Sequence, residues 1–253
     1  MKTIGICNNK GGVGKTTICF CLGGAFAEMN KKVLMVDMDQ QGSLSSSFLQ
    51  NIHNLPCVIT DVLLLNDQRS LKNAIIKTKF ENIDLVPANL TLGKIETELL
   101  SERDAHHILA EKLEDIQAEY DVILVDAPPN LGLATWSVLT ASDGVIIPLE
   151  AQDYSVKGTG FVHGMIQKVR KRSNPQLSIL GYLINRYDGR RRIEQDFRSM
   201  IEKHLGEKVF KHVMKDSVRY VEAVTLGKPI THLAPRSEQA ETLREICKEV
   251  LNV

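Results

Sequence analysis

The run Thr3-Ile4-Gly5-Ile6-Cys7, followed at once by Asn8-Asn9-Lys10-Gly11-Gly12-Val13-Gly14-Lys15-Thr16-Thr17, constrains this chain more than any other segment. A short apolar run without alternation is a strand covered on both faces. The glycines at 11, 12 and 14 then permit a tight turn, and the stretch from about Gly14 to Met29 reads as a helix. A strand, a glycine-rich loop and a helix N-terminus in that order bring successive backbone N–H groups to one point, which suits the oxygens of a phosphate chain. Against the pattern Gly-x-x-x-x-Gly-Lys-Ser/Thr, the first glycine is replaced by Asn9, while Gly11 and Gly12 sit inside the loop. Lys15 is spaced to reach β- and γ-phosphates, Thr16 to place its hydroxyl on Mg²⁺, and Thr17 to donate toward an α-phosphate.

The rest of the chain repeats the alternation of strand and helix. Further buried strands are expected at Lys32–Asp37, Ile83–Pro87, Asp121–Asp126, Gly144–Pro148 and Ile179–Ile184. A long polar helix is expected over Asp104–Glu119, and a closing helix over Glu238–Leu251. Continuous apolar strands separated by helices predict an α/β fold: a mostly parallel twisted sheet with helices on both faces. With 253 residues, no repeat and no long linker, residues 1–253 are expected to form one domain.

Net charge is zero, but its distribution is uneven. Residues 81–130 hold twelve acids and three bases, whereas residues 168–219 hold fourteen bases and six acids. Such asymmetry fits either a nucleic-acid or membrane-facing surface or ordinary solvated helix faces. The five cysteines include no C-x-x-C pair, so they read as reduced, buried thiols rather than a disulfide framework or metal site. The apolar run after Met1-Lys2 is too short for a signal-peptide core, and no run approaches the roughly 20 residues that span a bilayer.

Lys10-Gly11-Gly12-Val13-Gly14-Lys15-Thr16-Thr17 resembles the deviant Walker A box of the ParA/Soj/MinD ATPases. Val36-Asp37-Met38-Asp39-Gln40-Gln41-Gly42 resembles the family's V-D-x-D-P-Q-G box, with Gln40 in place of proline. Tyr120–Pro129 resembles its Y-D-x-I-x-x-D-x-P-P box. Leu183–Asp188, Val218–Ala223 and Gly227-Lys228-Pro229-Ile230 resemble its C-terminal landmarks. The resemblance implies ATP and Mg²⁺ as ligands, with slow hydrolysis and an ATP-bound sandwich homodimer. Lys10 would reach across that dimer to the partner's nucleotide, as an arginine finger does. Asp39 would hold the attacking water, Asp126 would bind Mg²⁺ through water, and Asp37 would support the metal shell. Asn185-Arg186 would border adenine, because Arg186 breaks the guanine-reading Asn-Lys-x-Asp box. Met214 falls where many relatives carry a proline beside the base.

Within the family, the branches separate on local features. No cysteine lies just after the Tyr120–Pro129 box, which argues against the iron-protein branch. The segment Glu245–Val253 reads as a core helix rather than a basic amphipathic membrane helix. The glycine loop starts too early to leave room for an N-terminal helix-turn-helix domain. A short Soj-like partition ATPase for plasmids or chromosomes is the expectation, cytoplasmic and nucleoid-associated. It would bind double-stranded DNA without sequence preference and respond to a ParB-like stimulator, with no membrane partner. Arg219 matches the family's DNA-contacting arginine, and Arg190, Arg191, Arg192, Lys211 and Lys215 extend the basic region. Arg190–Arg192 read equally well as a solvated helix start. The alternative is a MinD-like or other ParA-like ATPase that positions a protein cargo.

Overall fold

The computed structural model describes residues 2–64, 69–99, 101–151 and 156–252. Among these residues seven strands form one sheet in the order β3-β4-β2-β5-β1-β6-β7. They are β1 (Lys2–Ile6), β2 (Val33–Asp37), β3 (Ile76–Lys77), β4 (Ile83–Val86), β5 (Val122–Asp126), β6 (Gly144–Glu150) and β7 (Ser178–Asn185). All pairings are parallel except β3 with β4. The six parallel strands lie where the apolar runs predict them. β3 is an addition of two residues, too short to register as a hydrophobic run.

Strand alternation sends side chains to two cores. Leu34, Val36, Ile123, Val125, Val145 and Ile147 face one of them. Onto that side pack α3 (Ile59–Leu63), α4 (Ile95–Glu98), α5 (Ile108–Glu114), α6 (Leu133–Ala141), α7 (Val156–Arg172) and α8 (Arg192–Leu205). Val33, Met35, Val122, Leu124, Ile4 and Ile6 face the other. There α1 (Lys15–Glu28) lies against the sheet, covered by α2 (Ser43–Phe48), α9 (Val218–Thr225), α10 (Ile230–Leu233) and α11 (Glu238–Leu251). Every residue of α1 from Ile18 to Ala27 is buried. Gly24 allows the covering layer to approach closely, since a Cβ there would fall 2.2 Å from Pro229 Cβ. Helix α11 buries Ala240, Leu243, Ile246, Cys247 and Val250, as expected of a core helix.

The expected helix over Asp104–Glu119 is corrected to three pieces. A 3-10 turn at Ala105–His107 leads into α5, and a second turn covers Gln117–Glu119. Breaking the helix after Glu114 drops Ile116 and Tyr120 into the core ahead of β5. The Tyr120 hydroxyl donates to Asp84 Oδ2 at 2.7 Å. All five cysteines are buried free thiols. Among the described residues no helix is long and apolar enough to cross a membrane.

Candidate active site

Three neighbouring parallel strands, β2, β5 and β1, end on the same edge of the sheet, and each delivers a polar group there. The loop after β1 is stapled down by Asn8, whose Nδ2 donates to Pro148 O at 2.6 Å and whose Oδ1 accepts from Lys10 N at 3.0 Å. Gly12 (φ 81°) and Gly14 (φ 89°) take left-handed conformations. Gly14 also lacks room for a side chain, because a Cβ would meet Asn185 Nδ2 at 2.3 Å. Gly14 caps α1 without any side-chain acceptor, so the first N–H groups of the helix point into the loop. Lys15 is 7% exposed, and its Nζ lies over the loop, donating to Lys10 O at 3.1 Å. Burial lowers its pKa, opposed by the nearby charge of Asp126.

Asp126 ends β5 and Asp37 ends β2, and the two are paired in register. Both are fully buried. Asp37 Oδ2 accepts from Ser45 N (2.8 Å) and Ser45 Oγ (2.7 Å), and its Oδ1 accepts from Asp39 N (3.0 Å). Burial still raises its pKa to about 6. Asp126 Oδ2 accepts from Thr16 Oγ1 at 2.6 Å, while its Oδ1 is buried with no hydrogen-bond partner among the described residues. Burial first, and the Asp37 charge second, push its pKa well up. A hydroxyl and an orphaned buried carboxylate oxygen beside a phosphate-shaped loop fit a hard, oxygen-seeking cation. Asp39 is half-buried, with Oδ1 accepting from Gln41 N at 3.0 Å. It borders a cavity of about 340 Å³ walled also by Gln40, Leu92, Glu96, Pro128 and Asn130.

The opposite wall comes from the end of β7. Asn185 Nδ2 donates to Val13 O at 2.9 Å, and Arg186 holds a left-handed backbone (φ 54°) while its Nη1 donates to Glu150 Oε1 at 2.9 Å. Lys10 Nζ reaches the other oxygen of the same carboxylate, Oε2, at 3.2 Å. Met214 is brought beside this wall by its backbone, accepting from Tyr187 N at 3.1 Å. Its side chain is fully buried in the core with Leu183, Phe210 and Tyr220.

A family model described as an AAA domain matches residues 1–179. The sporulation initiation inhibitor protein Soj of Bacillus subtilis is 36% identical over 249 residues, covering 98% of each chain. The chain belongs to the ParA/Soj/MinD family of P-loop ATPases. The chromosome partitioning protein ParA of Caulobacter vibrioides is 31% identical, over 100% of this chain and 94% of its own. Among solved structures, a cobyrinic acid a,c-diamide synthase from Mycobacterium smegmatis with bound ADP and magnesium matches with a TM-score of 0.87 at 29% identity, covering 100% of this chain and 94% of its own. A putative plasmid partition protein from Borrelia burgdorferi bound to AMPPNP matches at 0.82 and 25%, covering 99% and 98%.

In this ParA-family chain several side chains of the basic region are paired with acids, Asp188 and Glu194 from within the region and Glu238 from outside it. Arg219 is exposed on the first turn of α9, behind the Ser217 cap, and Lys211 is exposed before it. Arg190 forms a two-pronged pair with Asp188, both distances 2.9 Å, and Arg191 pairs with Glu194 at 3.0 Å. Lys215 pairs with Glu238. Arg192 begins α8. Sequence reading missed Asn8, Ser45, Glu150 and Glu194. Glu150 carried one usable signal: like Asp37 and Asp126, it is a carboxylate at the end of an apolar strand.

Proposed function

We propose that this chain is an ATP-driven partition switch for DNA cargo. It pairs into a sandwich dimer with ATP, binds duplex DNA non-specifically in that state, and is reset by slow hydrolysis under a ParB-like stimulator. The observation that carries the reading is the convergence of Lys15, Thr16, Asp37, Asp39 and Asp126 on one edge of the sheet, with Asp126 Oδ1 left unpartnered. Gly11 to Thr17 would wrap the phosphates with backbone N–H groups, and Lys15 would turn from Lys10 O to the β- and γ-phosphates. Mg²⁺, when bound, would neutralise charge developing on the phosphates. Thr16 and Asp126 would hold it, and Asp37 would orient that shell through Ser45 and the Asp39 backbone. Asp39 would position and polarise the attacking water. Asn185 and Arg186 would flank the base, with Met214 contributing only through its backbone.

Lys10 would act in trans on the partner subunit's nucleotide. Gly11 supports pairing of this kind: its φ is not left-handed, and a Cβ on it would meet nothing within 4 Å of its own chain. Nothing among the described residues of the subunit therefore demands glycine at that position. Lys10→Ala and Gly11→Val should both keep ATP affinity while weakening ATP-dependent dimerisation by about tenfold or more, as expected for removing a desolvated charge or crowding the interface. Sedimentation equilibrium with AMPPNP and Mg²⁺ tests this, and normal pairing of both variants would remove the sandwich.

Binding to DNA would follow pairing, because two Arg219 patches on one rigid body reinforce each other. Arg219→Ala should weaken binding for every sequence alike, by about tenfold, and should lower the salt slope by about one unit for each phosphate that the arginine neutralises. Mobility shifts on two unrelated duplexes, at two salt concentrations, with and without ATP, decide the matter. Binding that ignores ATP, or survives Arg219→Ala unchanged, would reduce the basic region to a solvated face. ATP-dependent binding that Arg219→Ala weakens would support a nucleoid-associated ATP-bound form.

A further inference from the structure

Glu150 occupies an unusual place. It is the last residue of β6, in register with Asn185 on β7, and its side chain is only 14% exposed. Its two carboxylate oxygens serve two cations: Oε2 pairs with Lys10 Nζ at 3.2 Å and Oε1 with Arg186 Nη1 at 2.9 Å. The arrangement is built in. Asn8 ties the start of the glycine loop to Pro148, two residues earlier on β6, and also accepts from Lys10 N. The backbone carrying Lys10 is thereby held beside the end of the strand that carries Glu150. Arg186 adopts its left-handed backbone on the neighbouring strand end, where its guanidinium reaches the same carboxylate.

We infer that Glu150 is a positioning residue for Lys10, a latch that holds the signature lysine on its own subunit until pairing transfers it to the partner. The inference rests on the reading of Lys10 as a group acting in trans. One ammonium cannot fully serve two anions, so the Glu150 carboxylate competes with the partner's γ-phosphate for it. When Lys10 leaves, Arg186 remains on Glu150, so the exchange strands no charge. The latch therefore raises the concentration at which ATP-loaded subunits pair, without entering the chemistry.

Glu150→Gln removes the negative charge but keeps the side-chain volume and an acceptor oxygen for Arg186. Lys10 and Arg186 are both exposed, so each pair is weak, yet a dimer releases two latches. With AMPPNP and Mg²⁺, the dimer dissociation constant measured by sedimentation equilibrium should fall about threefold to tenfold. Affinity for ADP, which lacks the γ-phosphate, should not change. In a Lys10→Ala background the same substitution should have no effect on pairing, a result that a merely structural role of Glu150 would not give. Glu150→Asp, which keeps the charge for Arg186 but draws back from Lys10, should move in the same direction and decides the matter if Glu150→Gln fails to fold. Unchanged or weaker pairing of these variants, while Lys10→Ala still weakens pairing, overturns the latch and leaves the trans role of Lys10 standing. Normal pairing of Lys10→Ala overturns that role and the latch with it.

Discussion

Lys15→Ala is expected to remove ATP binding almost entirely, with a loss of affinity of about a hundredfold or more in a calorimetric titration. The lysine is 7% exposed, and its ammonium is poised over the loop on the Lys10 carbonyl. An alanine there leaves the phosphates facing backbone dipoles on one side and the buried Asp37 and Asp126 carboxylates on the other. Opposing that like-signed charge is a task that falls to Lys15 within the loop, and burial magnifies each charge–charge interaction. The fold should survive, since α1 is anchored by its apolar residues from Ile18 onward rather than by its first turn. A variant that folds and binds ATP at wild-type affinity would withdraw the loop as the nucleotide site.

The second large effect is expected at Asp39. Asp39→Ala should retain ATP but lose about a hundredfold to ten-thousandfold in turnover, the range for removing a group that positions and polarises a reacting water. Because the step that resets the switch is blocked, an ATP-bound dimer should accumulate and persist in size-exclusion chromatography with ATP and Mg²⁺. Asp39 is suited to this role and Asp37 is not. Asp37 is sealed by Ser45 and the Asp39 amide, whereas Asp39 is half-buried and borders open space. A strictly monomeric Asp39→Ala protein, or one that hydrolyses ATP normally, would count against the assignment. The neighbouring Asp37→Asn gives a useful contrast, since its damage should appear first in the metal requirement rather than in dimer lifetime.

The residues that face each other along the sheet edge were legible because each sits at the end of a continuous apolar run. Asp37 and Asp126 close two such runs, Lys15 was marked by the glycine loop that follows the first run, and the roles of the two carboxylates came from the family resemblance. What the sequence hid were partners assembled across long distances. Ser45 reaches back eight positions to Asp37, and Asn8 and Lys10 reach 140 positions forward to Pro148 and Glu150. No local pattern encodes the Asn8–Pro148 and Lys10–Glu150 pairings; they depend on β1 lying beside β6. The segment from Asp104 to Glu119 misled for a different reason. Its apolar positions keep a helical period, but Ile116 and Tyr120 are drawn into the core, and that tertiary demand overrides local propensity. Charge counting over residues 168–219 could not show that Glu150 and Glu238, which lie outside that stretch, pair with Arg186 and Lys215 inside it.

Helix α1 carries one more consequence. A helix whose one end is a polar cradle and whose remaining length is dry on all sides has no hinge of its own. Water cannot enter beneath Ile18–Ala27 without separating the sheet from α9, α10 and α11 together. Amide hydrogens along that rod are therefore expected to be among the slowest in the molecule to exchange with solvent, slower than those at the exposed turn of Arg186. With its floor packed on all sides, the proposed site would be entered and left past its walls. Release of spent nucleotide would then be governed by the Asn185–Arg186 side and, in the proposed dimer, by the subunit facing it, so that residence time could be retuned without touching the glycine loop.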